Sequence, residues 1–336
     1  MNLRTLTIIA SVVLFIGQTN AYAQNTTDKQ GRKQGHWTKT AKNGKKIYDG
    51  QFKDNNPVDT FYYYDSKGKV SLKNYFSNNG KNNYAWLYHS NGNLKAEGNY
   101  IDKKKDGKWL YYNEKGKRVT EVYFKNNQKE GQEKVWDDSG KEVIQVATYK
   151  AGKREGEFFK SLYSAGYYTC TYKNDKMNGV YTEYYPTKKV KVKGQYKDNN
   201  KEGQWIVYNS FEQTVQKLTY KNDKLVEDIL ILKTMDKDME VSQNDIAMVR
   251  PTGKQTQVIT TKGNKIACMQ DIEGILEYLN GEKFYRMDEK AKIYVNIDVM
   301  RGLDANGVLK TSVDLGVKIT PDKDGVEIVK TLFRED

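Results

Sequence analysis

The chain has 336 residues, enough for two domains of ordinary size, and carries Lys+Arg 56 against Asp+Glu 43, a formal net charge of +13. Tyr occurs 26 times and Gly 27, whereas Pro occurs 4 times, His 2 and Cys 2. So few prolines exclude a Pro-rich spacer, so few histidines leave little for His-based catalysis or metal binding, and Cys170 with Cys268 cannot build a disulfide framework.

In chain order, the first element is a targeting sequence. Arg4 gives a positive start, residues 6–17 are largely apolar, and Ala21-Tyr22-Ala23 supplies a small-x-small cleavage pattern. The expectation is a signal peptide over 1–23, with an uncleaved anchor as the alternative. No later stretch approaches 18 apolar residues, so no transmembrane span is expected after cleavage. The expected location is therefore exported: periplasmic, outer-membrane-associated or extracellular.

Residues 24–232 are dominated by a repeat. Its opening position falls at Gly35, Asp59, Asn83, Gly107, Gly131, Gly156, Gly179, Gly203 and Glu227, a period of about 24 residues. Within each copy, the template of Gly107-Lys108-Trp109-Leu110-Tyr111-Tyr112 is followed by a turn such as Lys115-Gly116-Lys117 and a closing aromatic such as Phe124. Gly44, Gly68, Gly92, Gly116 and Gly140 supply positive φ for tight turns between aromatic-rich runs, so each unit reads as a β-hairpin. The second connection, as in Lys197-Asp198-Asn199-Asn200-Lys201-Glu202-Gly203, reads as longer and polar. Sequential hairpins predict an elongated, single-layer antiparallel sheet in a mainly β chain.

Trp109 and Tyr112 stand three apart and so point to opposite faces of an unbulged strand; Phe61/Tyr64, Tyr181/Tyr184 and Trp205/Tyr208 repeat the pairing. Two readings stand. The rings supply the hydrophobic content of a thin sheet, or one row stays exposed and binds a partner. For the second, the candidate surface is Trp37, Phe61, Tyr64, Tyr88, Trp109, Tyr112, Trp136, Tyr184, Trp205 and Tyr208.

The signature G-x-W-x-x-Y-x-x-x-G-K followed by Y-K-[DN]-[DN]-K-x-x-G, clearest in 107–131 and 196–208, resembles the MORN-repeat variant of exported bacterial proteins. That resemblance implies a β-hairpin scaffold, with membrane or protein attachment as the expected role.

Periodicity ends in the apolar run 226–232, suited to capping the last hairpin. Residues 233–336 read as a small α+β domain. Strands are expected at 246–250, 255–261, 265–269, 292–299 and 308–315, a helix near 271–280, and a second helix starting near Asp322. Glu277-Tyr278-Leu279, residues 291–299, Gly307-Val308-Leu309 and residues 326–330 faintly resemble the C-terminal domain of TonB-type energy transducers. That likeness implies peptide binding at an exposed edge strand.

Charge separates the two regions. Residues 24–232 carry a net +14 and residues 233–336 a net −2. The basic excess serves solubility and blocks edge-to-edge pairing, or it draws the chain to an anionic lipid headgroup or glycan. Nucleic acid fits the charge, but export argues against it. No nucleophile elbow, phosphate loop, zinc-spaced Cys/His set or dinucleotide fingerprint is present, so no enzyme activity, cofactor or metal is expected. The expected function is a non-enzymatic exported scaffold that binds an envelope protein or an anionic envelope component. The alternative is a glycan- or lipid-binding module that delivers a peptide-binding C-terminal domain.

Overall fold

In the computed structural model, residues 25–333 are described; the signal-peptide expectation over 1–23 lies outside them. The chain divides into two compact units, the first ending at Gln128 and the second beginning at Lys129. It is mainly β, with antiparallel hairpins succeeding one another in sequence order.

The first unit holds β1 (Thr26–Thr27), β2 (Lys33–Thr40), β3 (Lys46–Lys53), β4 (Asn56–Tyr64), β5 (Val70–Ser77), β6 (Asn82–Tyr88), β7 (Leu94–Ile101), β8 (Lys104–Tyr112) and β9 (Arg118–Lys125). Each strand pairs antiparallel with the next, as Trp37 with Gly50 and Trp109 with Val122. The turn before β9 works as the sequence suggested. Asn113 Oδ1 accepts from the amides of Lys115 and Lys117, and Gly116 takes φ 73°.

The other connection is tighter than its polar run suggests. Asn126 and Asn127 have φ 52° and 69°, and Asp198 and Asn199 have φ 50° and 75°, so each forms a two-residue turn with both residues left-handed. Asn and Asp tolerate that region because their short side chains bond locally. The polar residues that follow are already strand. Just inside it the ladder skips: Asn99 pairs with Asp106 and Gly98 with Trp109, so Gly107 and Lys108 have no partner on β7 while still pairing with β9, with Gly107 at φ 73°. Where Asn83 replaces that glycine the ladder runs unbroken from Leu72–Leu87 to Ser77–Asn82. Where Asp59 replaces it the bulge persists, with Asp59 itself at φ 58°.

The turns also bond to one another. The backbone amide of Asn55 donates to Lys33 O, that of Asp102 to Lys81 O, and that of Asn127 to Lys105 O. Asn55 and Asn127 return the bond, their Oδ1 atoms accepting from the amides of Lys33 and Lys105. At the opposite edge Lys45 Nζ donates to Ser66 O and Lys69 Nζ to Ser90 O.

The short strand β10 (Gln128–Lys129) spans the boundary in the chain. The second unit continues the hairpins with β11 (Gly131–Trp136), β12 (Val143–Lys150), β13 (Lys153–Ser161), β14 (Tyr167–Lys173), β15 (Lys176–Tyr184), β16 (Val190–Lys197), β17 (Asn200–Tyr208), β18 (Thr214–Lys221), β19 (Lys224–Lys233) and β20 (Asp238–Ser242). A five-stranded antiparallel sheet follows, built from β21 (Ile246–Thr252), β22 (Gln255–Thr260), β23 (Lys265–Cys268), β24 (Phe284–Asp288) and β25 (Ile293–Asn296), in the order β23-β22-β21-β25-β24. The hairpin β26 (Met300–Leu303) and β27 (Leu309–Thr311) completes the strands; α1 (Ile272–Leu276) and α2 (Lys323–Leu332) are capped by the side chains of Asp271 and Asp322.

Most C-terminal elements stand where their periodicity placed them. The exceptions are the first helix, which is a single short stretch, the strands β20, β24 and β26, which were not expected, the span 292–299, which turns into a 3-10 helix at Ile297–Val299, and the span 308–315, of which only Leu309–Thr311 is strand. Both faces of the five-stranded sheet are covered. On one, Ile246, Val249, Val258 and Ile272 pack with Leu230, Leu232 and Val241 from the end of the hairpin series. On the other, Met248, Met287 and Val295 pack with Leu309 and, from α2, Val329. The end of the apolar run, Leu230 and Leu232, therefore enters the core of the C-terminal sheet rather than only closing the repeats.

Candidate functional site

The two faces of the hairpin sheet differ in how their rings are held. On the first face each ring lies flat on the neighbouring strand. Trp109 covers Gly98, and a Cβ added there would stand 2.4 Å from the indole; Phe61 covers Gly50 and Trp205 covers Gly194 in the same way. Elsewhere the ring meets another small residue, as Phe158 near Ala147 and Tyr181 opposite Cys170. Tyr100 meets Trp109 edge-on at 5.0 Å, and Phe124 does so at 6.5 Å. Such pairs contribute about 0.5–1.5 kcal/mol each beyond area burial.

In four copies a cation closes the stack. Lys105 Nζ sits 4.3 Å from the Trp109 centroid and 5.1 Å from that of Phe124, and donates to Tyr111 Oη at 2.7 Å. Burial pushes the Lys105 ammonium below its ordinary range. Lys201 lies over Trp205 and Tyr220, Lys33 over Trp37 and Phe52, and Arg154 over Tyr172. The face is filled from within.

The second face of the first unit is more open. Tyr62, Tyr64, Tyr84, Trp86, Tyr88 and Tyr112 are all half-buried, and Tyr75 is 50% exposed. Glu97 organises them, accepting from Tyr112 Oη at 2.6 Å and from Tyr84 Oη at 3.0 Å. Burial, together with donation to Glu97, pushes both phenols up to about 12. Tyr84 packs on Trp86 at 4.6 Å, with Lys73 Nζ 4.8 Å from the indole. In the second unit Tyr184 stacks on Tyr167 at 4.5 Å.

The ten candidate residues thus fall into two groups. Phe61, Trp109 and Trp205 are 2%, 0% and 2% exposed and have no surface to offer a partner. Their burial follows from the bare glycine beneath each ring. Trp37, Tyr64, Tyr88, Tyr112, Trp136, Tyr184 and Tyr208 remain partly exposed. Trp37 is tied down through Nε1, which donates to Thr26 O at 3.0 Å and to Gln34 O at 3.1 Å.

Two partners of the rings escaped the sequence reading although both recur at the repeat period. A small residue stands eleven before the ring at Gly50, Ala147, Cys170, Gly98 and Gly194, and a basic residue four before it at Lys33, Lys105, Arg154 and Lys201. His36 pairs with Asp49 at 2.7 Å, and His89 Nε2 lies 2.9 Å from Tyr112 O. Cys170 and Cys268 are free and buried, and burial pushes both thiols up to about 11. Among the described residues no helix is long and apolar enough to cross a membrane.

No protein-family model matches the chain, and no curated protein matches it. Among solved structures, the LytTr DNA-binding domain of a response regulator from Bacillus cereus aligns over 31% of this chain and 94% of its own length, at 17% identity and a TM-score of 0.26. The TcdB2-TccC3-TEV structure aligns over 84% of this chain and 18% of its own length, at 11% identity and a TM-score of 0.18. This chain therefore spans under a fifth of that second structure. Likenesses at these scores carry no argument about activity.

Proposed function

We propose that the chain is a non-enzymatic, exported MORN-like scaffold that attaches to an envelope protein or an anionic envelope component through the open face of its hairpin sheet. One observation carries the reading: Phe61, Trp109 and Trp205 on one face are buried over glycines, while Tyr64, Tyr88 and Tyr112 on the other stay partly exposed. Exposed rings cost free energy in water, and contact with a partner recovers it. The +14 charge of residues 24–232 adds attraction to an anionic surface.

Co-sedimentation of the full chain with cell-wall sacculi and with anionic vesicles, over a salt series, tests this. Tyr64→Ala with Tyr88→Ala and Tyr112→Ala is expected to weaken binding at least about tenfold at physiological salt, where exposed charges are screened beyond about 8 Å. Unchanged binding by that triple variant would remove the ring face from the mechanism.

A further inference from the structure

Two copies lack a ring at the position that seals the first face: one carries Glu133, which pairs with Lys129, and the other leaves its place open. At its ring position stands Ala85, and the residue it should cover is Asn74 in place of glycine or another small residue. The preceding copy has Pro57 where most others have a basic residue. In the Ala85 copy that residue is Lys81, which has no ring over which to sit and no carboxylate partner among the described residues. The result is a groove of about 850 Å³ within the first unit.

Its walls combine three kinds of group. Tyr63, Phe76 and Tyr100 present ring surface. Asn55, Asn74, Asn79 and Asn83 present amides; Asn74 is 7% exposed and accepts from Asn83 Nδ2 at 3.1 Å, while its own Nδ2 donates to nothing among the described residues. These carboxamides can exchange hydrogen bonds with the hydroxyls of a polar ligand lying in the groove. Lys81 and Lys103 at the rim outnumber Asp102.

From this combination we propose that the groove binds an acidic oligosaccharide of two or three sugar units. Sugar rings lay their C–H faces on aromatic rings, their hydroxyls exchange hydrogen bonds with carboxamides, and uronate carboxylates meet the lysines. The site lies on the opposite face from the ring row proposed for attachment, so either can fail without the other.

The probe is trigalacturonate, with neutral maltotriose as control, titrated into the full chain by calorimetry. Saturable binding of trigalacturonate is expected, at least about tenfold tighter than of maltotriose. The variant Asn74→Gly/Ala85→Trp rebuilds the ring-on-glycine pair of the other copies, brings an indole under Lys81 and plugs the groove; it is expected to abolish binding without lowering Tm. Should that variant not fold by circular dichroism, Lys81→Glu/Lys103→Glu decides, with an expected loss of about tenfold or more. Absence of trigalacturonate binding at millimolar concentration overturns the proposal. So does undiminished binding by the plugged or the charge-reversed chain, and equal affinity for maltotriose overturns the acidic class.

Discussion

Replacing Gly98 by Ala tests whether the sealed face is built by close contact between ring and backbone. The new Cβ would stand 2.4, 2.5 and 2.6 Å from three atoms of the Trp109 indole, more than an ångström inside ordinary van der Waals contact. The indole has little freedom to yield. It is fully buried, its Nε1 donates to Asn99 O at 3.0 Å, and Tyr100, Phe124 and Lys105 surround it. Overpacking of this kind costs about 1–3 kcal/mol. Against it, alanine loses less backbone entropy than glycine and recovers about 0.4–1 kcal/mol. The expected net effect is a destabilisation of about 1–2 kcal/mol. Hydrogen exchange on the full chain should show faster opening of β7 and β8, and indole fluorescence should report the displaced ring. The double variant Gly98→Ala/Trp109→Phe reproduces the Ala147 and Phe158 combination already present in the chain and should recover part of the loss. A neutral or stabilising Gly98→Ala, or additive single effects in the cycle, would refute the reasoning.

Two further outcomes follow from the same side chains. Trp205 Nε1 is buried without a partner whereas Trp109 Nε1 is bonded, so Trp109→Phe should cost about 1–2 kcal/mol more than Trp205→Phe in chemical denaturation, and equal costs would contradict the pairing. Burial alone would raise the Asp49 carboxyl, but bonds from Lys46, His36 and Thr38 bring it down to about 2. Its contribution is therefore present above the ordinary carboxylate range and lost as pH falls through about 2. Asp49→Asn should destabilise the first unit by about 1 kcal/mol near pH 6, allowing for solvent screening, with the difference from the parent chain closing toward pH 2 in acid titrations.

The repeat period, the hairpin architecture and the positive-φ turns were legible because each leaves a mark in residue type: aromatic, glycine, asparagine, at fixed offsets. The opposed faces of Trp109 and Tyr112 were legible for the same reason. Which face would be sealed was not, because sealing depends on cross-strand pairs such as Gly98 with Trp109, and the pairing register is displaced by the bulge at Gly107 and Lys108. The length of the second connection was misjudged because polar residues such as Lys201 and Glu202 belong to an open strand edge as readily as to a loop. In the C-terminal region, β24 is short and mixed, Phe284-Tyr285-Arg286-Met287-Asp288, and only its place beside β25 makes it a strand. The residues 226–232 announced an end to the repeats, but the burial of Leu230 and Leu232 against Ile246 and Val258 is a tertiary fact with no local signature.

The bonded turns have a consequence for how such a chain changes length. In the second unit too, Gly152 donates to Lys129 O, Asp175 to Arg154 O, Asn199 to Met177 O and Asp223 to Lys201 O, so each turn is joined to the equivalent strand start one copy earlier. Removing or inserting a few residues breaks two such joints and throws the following rings onto the wrong glycines. Removing or duplicating a whole copy leaves every joint an equivalent partner. Inheritance by recombination between copies is therefore nearly silent in structure, and the number of copies, rather than the content of any one, is the variable most easily altered.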